Sequence, residues 1–269
     1  MTLTPAPLAG AAALAIIYLW LGGLAWWGVL RALDRDPSFR LTPIEGLRVF
    51  FVGNLSRYLP GTVWFAASRL LLGSRLGARP EALGASMVLE LLLIVTAGAM
   101  ITIATIPATL RDTVQGWPAA IAALAGLLAL HPRAAAWALN RLARRRGVVP
   151  LRPLPYPRAL SLLAGYLGVW VIAAGALFAT ASLVSPLTLA DYPAIANAWA
   201  IAFLLGLIAP FTPAGLGVRE ATLTVLLSRL MPLEAAAEAA LAFRVLLTGT
   251  EALCVLPLLP GVAAIIRRR

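Results

Sequence analysis

Lysine is missing from this chain: all 22 of its basic residues are arginine, set against 11 carboxylates for a net charge of +11. Cysteine and histidine occur once each, as Cys254 and His131. One cysteine excludes an intrachain disulfide and a thiolate metal cluster. One histidine, followed by Pro132 at the edge of an apolar run, reads as interfacial rather than catalytic, and the chain has too few ligand-type side chains to build a metal site. Charge of either sign is scarce, at 12% of residues against about a quarter in an ordinary globular domain. No GxxxxGK[ST] motif is present, so nothing in this chain would couple ATP hydrolysis to its work.

Apolar residues fill the space left by charge, at 61% of the chain, with a mean hydropathy of +0.89. That composition describes an all-α polytopic membrane protein. The arginine excess might suggest nucleic acid, but the arginines cluster between apolar runs, as loops facing the cytoplasm do. The run at 8–30 is about the 20 residues of one crossing and lacks a basic leader, so it reads as a retained helix rather than a cleaved signal. Further full crossings are expected near 82–108, 116–132, 158–185 and 234–264.

Arginines set the expected orientation. Arg31, Arg35, Arg40 and Arg48, then Arg69, Arg75 and Arg79, then seven between 133 and 158, and finally Arg267 to Arg269 should all be cytoplasmic. The N-terminus then lies outside and the C-terminus inside. This pattern closes only if 44–75 and 194–230 each enter and leave on one side. Both carry a Pro-Gly break, at Pro60-Gly61 and at Pro213 to Gly217, so each reads as a re-entrant hairpin of two half-helices. Broken backbone at membrane depth must be buried in protein or line a wet cavity. The segment 133–146, "RAAAWALNRLARRR", reads as an interfacial helix, and prolines at 150, 153, 155 and 157 as a stiff linker.

The two breaks belong to a repeat. Pro60 matches Pro213, Pro80-Glu81-Ala82 roughly matches 232–235, and Glu90 matches Arg244, at a steady offset of 152–154 residues. With one copy entering from each side, the chain forms a single membrane domain, 1–269. Its inverted halves run over roughly 44–108 and 194–264 and are joined by the Arg/Pro-rich segment 133–157.

Charges fall at membrane depth in both halves. Glu90 lies roughly 13 Å into its helix, near the middle of a ~30 Å core. Arg244, Thr248 and Glu251 share a helix face. Arg57 and Arg69 flank the first break, and Arg219 and Glu220 open the helix after the second. Such residues either pair as a structural network or mark a pathway. Arginine outnumbers carboxylate here, and its forked donors suit a phosphate. Helix N-termini at Gly61 and at Gly215 to Gly217 would add backbone donors. Tyr58, Trp64 and Phe65 read as packing or interface anchors before substrate contacts.

Two motif pairs, "NLSRYLPGTVW" with "GASMVLELLL" and "PFTPAGLGVREA" with "AFRVLL", resemble the transmembrane domain of lysylphosphatidylglycerol synthase and its stand-alone flippase-like relatives, over about residues 8–265. The resemblance implies a multi-pass protein of the bacterial inner membrane that moves a lipid with a phosphate headgroup: a phospholipid, an aminoacyl-phospholipid or a polyprenyl-phosphate glycolipid. Pro-Ala-Gly stands at 213–215, where many relatives have Pro-Gly-Gly. No aminoacyltransferase domain is present in the sequence, so synthesis of lysylphosphatidylglycerol is not expected of it. The expected substrate-binding residues are Arg57, Arg69, Glu90, Arg219, Glu220, Arg244 and Glu251. No cofactor, metal or nucleic acid is expected. Two rival readings stand beside transport. One is an intramembrane lipid-modifying enzyme with Glu90 or Asp191 as base. The other is a non-catalytic partner of a separate lipid-modifying enzyme; a homo-oligomer also remains open.

Overall fold

Long apolar runs leave the backbone one way to satisfy its N–H and C=O groups in lipid, the helix. Our computed structural model describes residues 5–34, 41–59, 63–106, 116–137, 141, 154–209 and 215–267. These form α1 (Pro5–Leu33), α2 (Pro43–Ser56), α3 (Val63–Arg75), α4 (Pro80–Thr105), α5 (Gly116–Leu130), α6 (Tyr156–Ala181), α7 (Tyr192–Ile208), α8 (Val218–Leu227), α9 (Leu233–Val255) and α10 (Leu259–Arg267). Among the described residues there is no strand. Prolines mark the starts: Pro43 and Pro80 open α2 and α4, and Pro157 and Pro193 sit in the first turns of α6 and α7. A first-turn N–H has no helical partner, so proline loses nothing there. Thr42 caps α2 reciprocally: its Oγ1 accepts from the Glu45 N–H, and the Glu45 carboxylate accepts from the Thr42 N–H.

Five helices are long and apolar enough to cross a membrane: Pro7–Leu33, Pro80–Thr105, Tyr156–Ala181, Leu189–Ile208 and Leu233–Arg267. The protein is thus a multi-pass membrane protein, with two differences from the sequence reading. The helix at 116–130 has 15 residues, below the length of a crossing. The segment from 189 reaches that length because a 3₁₀ turn, Leu189–Asp191, runs into α7. The second broken segment therefore pairs an α7 of spanning length with a 10-residue α8, rather than two half-helices. The C-terminal crossing is α9 continued by a 3₁₀ turn and α10.

α1 and α6 pack antiparallel: Gly28 lies beside Leu162, and Gly175 beside Leu14. α4 runs parallel to α6, with Gly98 against Trp170. α2 packs on α3, and α7 on both α8 and α4. A cluster of Trp170, Trp199, Phe203 and Phe243, with neighbouring ring centroids 5.1–6.4 Å apart, fills the interior. The buried hydroxyls of Thr102 and Thr180 return to their own helices, donating to Gly98 O and Ala176 O, so neither donor is left open to lipid.

Among the described residues, Arg48, Arg75, Arg79 and Arg158 collect at one end of the bundle. Arg79 Nε donates to Asp34 Oδ1 at 3.0 Å, joining the end of α1 to the start of α4. Arg75 donates to the Ile266 carbonyl, joining α3 to α10. The Arg48 guanidinium lies on Gly261. Arg158 shares this end, because the start of α6 lies beside the end of α1.

Candidate functional site

In each broken helix pair an arginine of the second helix crosses a glycine of the first. On α3, Arg69 lies flat over Gly53 of α2, so close that a Cβ there would come within 2.7 Å of its Cγ and 2.9 Å of its Nε. On α8, Arg219 lies over Gly206 of α7, where the same distances would be 2.6 and 2.9 Å. Only a residue without a side chain admits so close a crossing. Each glycine follows a phenylalanine by three positions, which puts the ring on the same helix face. Arg69 Cζ stands 4.9 Å from the Phe50 ring centroid, and Arg219 Cζ stands 4.0 Å from that of Phe203. Trp26 and Phe65 enclose Arg69 further, at 4.6 and 4.3 Å. Trp199 stands 5.9 Å from Arg219.

The second loop is shaped for this contact. Gly215 has φ 70° and its backbone rests on Gly206, where a Cβ would meet the Gly206 oxygen at 2.9 Å. Gly217 has φ 85° and caps α8, its N–H donating to Glu220 Oε2 at 2.7 Å. L-residues with a side chain rarely adopt either backbone conformation. Pro60, Gly61 and Pro213 lie outside the described residues.

The other charges form two linked groups. Arg69 is fully buried, donates to Glu90 through Nη1, and reaches Asn54 Oδ1 through Nη2 at 3.3 Å. Arg57, at the end of α2, donates through Nη2 to both oxygens of Glu251, at 3.1 and 2.9 Å. The Tyr58 hydroxyl donates to the same carboxylate at 3.0 Å. Arg244 pairs with Glu220 at 3.3 Å and stands 5.8 Å from the Tyr58 ring. Tyr58 therefore touches both halves of this network, a role more specific than the packing expected of it.

Between these groups lies a cavity of about 750 Å³. Four of the seven candidate charges line it: Arg57, Arg69, Glu90 and Arg219. Glu220, Arg244 and Glu251 do not, and hold their partners from outside the lining. Tyr18 and Gly22 of α1 and Tyr166 and Trp170 of α6 also line it, each near the middle of its span, so the cavity sits at mid-depth. Most of its wall is apolar, and its rim carries Val88, Leu91 and Leu207, which face outward. The arginine pairs are polar guests in an apolar wall, the arrangement of a site that fixes one charged group while the rest of a ligand stays apolar.

Tyr18, Asn54, Tyr166 and the paired Phe-x-x-Gly segments were absent from the sequence reading. The last was recoverable: "VFFVGN" at 49–54 and "AFLLGL" at 202–207 lie 153 residues apart, within the offset of the repeat already noted. Asp191 lies away from the cavity, with its carboxylate accepting from the Thr188 N–H and hydroxyl at 2.8 and 2.9 Å. His131 is likewise outside the lining, its Nδ1 accepting from the Arg133 N–H at 3.3 Å.

No curated protein matches the chain. The family model of the lysylphosphatidylglycerol synthase TM region matches residues 1–250 of the 269. Its match takes in both broken helix pairs and six of the seven charges described above, with Glu251 just beyond its edge. The chain belongs to the lysylphosphatidylglycerol synthase transmembrane family.

Proposed function

We propose that this protein moves a lipid with a phosphate-bearing headgroup between the two leaflets of a bacterial inner membrane. The observation that carries the reading is the mid-depth cavity: arginines line it, and its rim of Val88, Leu91 and Leu207 faces the surrounding lipid. A headgroup can enter there while its tails stay in the bilayer. Membership of the lysylphosphatidylglycerol synthase transmembrane family is in keeping with a lipid-related role. The two broken helix pairs act as re-entrant hairpins of an inverted repeat, and rocking of one half against the other would expose the cavity to alternate sides. The similar crossings at Gly53 and Gly206 support that repeat. The arginine-rich end is cytoplasmic, which puts the N-terminus outside and the C-terminus inside.

This reading assigns the protein no catalytic step. Glu90 is engaged by Arg69, and Asp191 by Thr188 outside the cavity, which leaves neither poised as a base.

The test is translocation of fluorescent phosphatidylglycerol and of a short-chain polyprenyl phosphate in proteoliposomes. Protein-dependent movement of at least one is expected. Folded protein that moves neither would turn attention to a docking role for a separate lipid-modifying enzyme, checked by co-purification.

A further inference from the structure

The two arginine crossings are built alike and finished differently. Phe50 and Gly53 correspond to Phe203 and Gly206, each pair 153 residues apart. In the first crossing the residue after the glycine is Asn54, which accepts from Arg69, and Glu90 takes the other guanidinium nitrogen. At the same step in the second crossing stands Leu207, which has no acceptor. The position matching Glu90 is Arg244, which is itself paired with Glu220. Among the described residues Arg219 has no hydrogen-bond or ion-pair partner, and its Nε is buried without an acceptor. Three more donors around the cavity are buried without one: Arg57 Nε, Arg69 Nε and Tyr166 Oη.

The charges can be counted. Arg57, Arg69 and Arg219 line the cavity with Glu90. Glu90 cancels Arg69, and Glu251 cancels Arg57 from behind the wall. One positive charge is left over, on Arg219. Phe203 covers one face of that guanidinium at 4.0 Å, so its in-plane N–H edge remains for a guest. A planar fork of donors matches two oxygens of one phosphate.

Resting on the reading of the cavity as a headgroup site, we infer that Arg219 is the residue that binds the headgroup, and that the site selects a lipid with one net negative charge, carried on a phosphodiester. Arg69, its counterpart, is a strut held through both Nη atoms by Glu90 and Asn54, and takes no substrate. A zwitterionic lipid would bring a cation, and the one carboxylate among the described lining residues, Glu90, is already engaged. A phosphomonoester at neutral pH would bring a second negative charge with no free cation to meet it.

The experiment measures which lipids purified protein retains from an equimolar mixture of phosphatidylglycerol, phosphatidylcholine and phosphatidate. Wild type is expected to enrich phosphatidylglycerol about tenfold over the other two, the scale of one charge-assisted hydrogen bond. Arg219→Gln removes the fork, and Leu207→Glu supplies the missing internal partner; each is expected to abolish the enrichment. The second variant keeps Arg219 and gives it a counter-charge, so it decides the matter if the first does not fold. Enrichment that survives in either folded variant, or equal retention of the three lipids by wild type, would overturn the inference. A soluble phosphodiester, dimethyl phosphate, is included as competitor: displacement of phosphatidylglycerol at equal concentration would overturn the assignment to a lipid. Failure of the transport reading looks different, because phosphatidylglycerol would still be retained through Arg219 while proteoliposomes moved no lipid.

Discussion

Arg57 and Glu251 lie 194 residues apart and meet through a single Nη2 that donates to both carboxylate oxygens, at 3.1 and 2.9 Å. The pair ties the end of α2, just before the first break, to the last crossing. Glu251 is 1% exposed in its side chain, whereas Arg57 keeps 33%. The cost of breaking the pair therefore depends on which partner is removed.

Arg57→Met strands a buried carboxylate, with only Tyr58 still donating to it. We expect it to lower stability by about 2–5 kcal/mol, the range for truncating one member of a buried hydrogen-bonded pair. Glu251→Gln leaves Arg57 able to turn toward the cavity, so its cost should be smaller. The double variant Arg57→Met/Glu251→Leu should recover part of the loss. Thermal unfolding in detergent, followed by tryptophan emission, gives the coupling energy from the four proteins. Strict additivity would mean that the pair contributes nothing as a pair.

Glu90→Gln exposes the difference between the two crossings. Arg69 is fully buried between three aromatic rings and cannot reach water. Removing its carboxylate leaves an uncompensated buried cation, a loss of roughly 3–5 kcal/mol. Glu220→Gln affects Arg244, whose side chain is 18% exposed, and should cost less. Comparable losses of melting temperature for the two would contradict the assignment of Arg69 as a strut.

These relationships differ in how far the sequence discloses them. Helix is imposed by lipid, so the long runs were legible from hydropathy and their starts from proline and Thr42. The charged positions were legible because a charge inside an apolar run is rare. Their pairing was not. Glu90 could have met any of four arginines, and the choice of Arg69 follows from Gly53 letting α3 lie close against α2. Span membership near 116–130 and 189–208 was not legible, because charge balance at the loops does not report where a helix begins and ends. The 3₁₀ turn that lengthens the later segment rests on Thr188 and Asp191, which look like ordinary loop residues until their hydrogen bonds are seen.

Asp191→Asn separates transport from the enzymatic alternative. Its carboxylate closes a turn with Thr188 and stands outside the cavity lining. Translocation should stay within a factor of about two of wild type, since losing such a cap costs only ~1 kcal/mol of stability. A loss of translocation beyond tenfold in protein of normal melting temperature would bring Asp191 into the mechanism.

Gly53→Ala and Gly206→Ala add the same methyl group at corresponding places, and the structure assigns them different consequences. At Gly53 the new Cβ would press on Arg69, which Glu90, Asn54 and three aromatic rings hold in place. Nothing there can yield cheaply, so overpacking should cost about 1–3 kcal/mol and lower the melting temperature. At Gly206 the Cβ would press on Arg219, which has no hydrogen-bond or ion-pair partner among the described residues to hold it against Phe203. The guanidinium can swing away, so stability should fall less while the donor edge leaves its position. Translocation should then drop about tenfold or more, equivalent to ~1.4 kcal/mol at the barrier. The two readouts, melting temperature in detergent and initial rate in proteoliposomes, should move in opposite proportion for the two variants. An identical profile would mean that both arginines are structural, and that the free cation of the second crossing has no part in moving lipid.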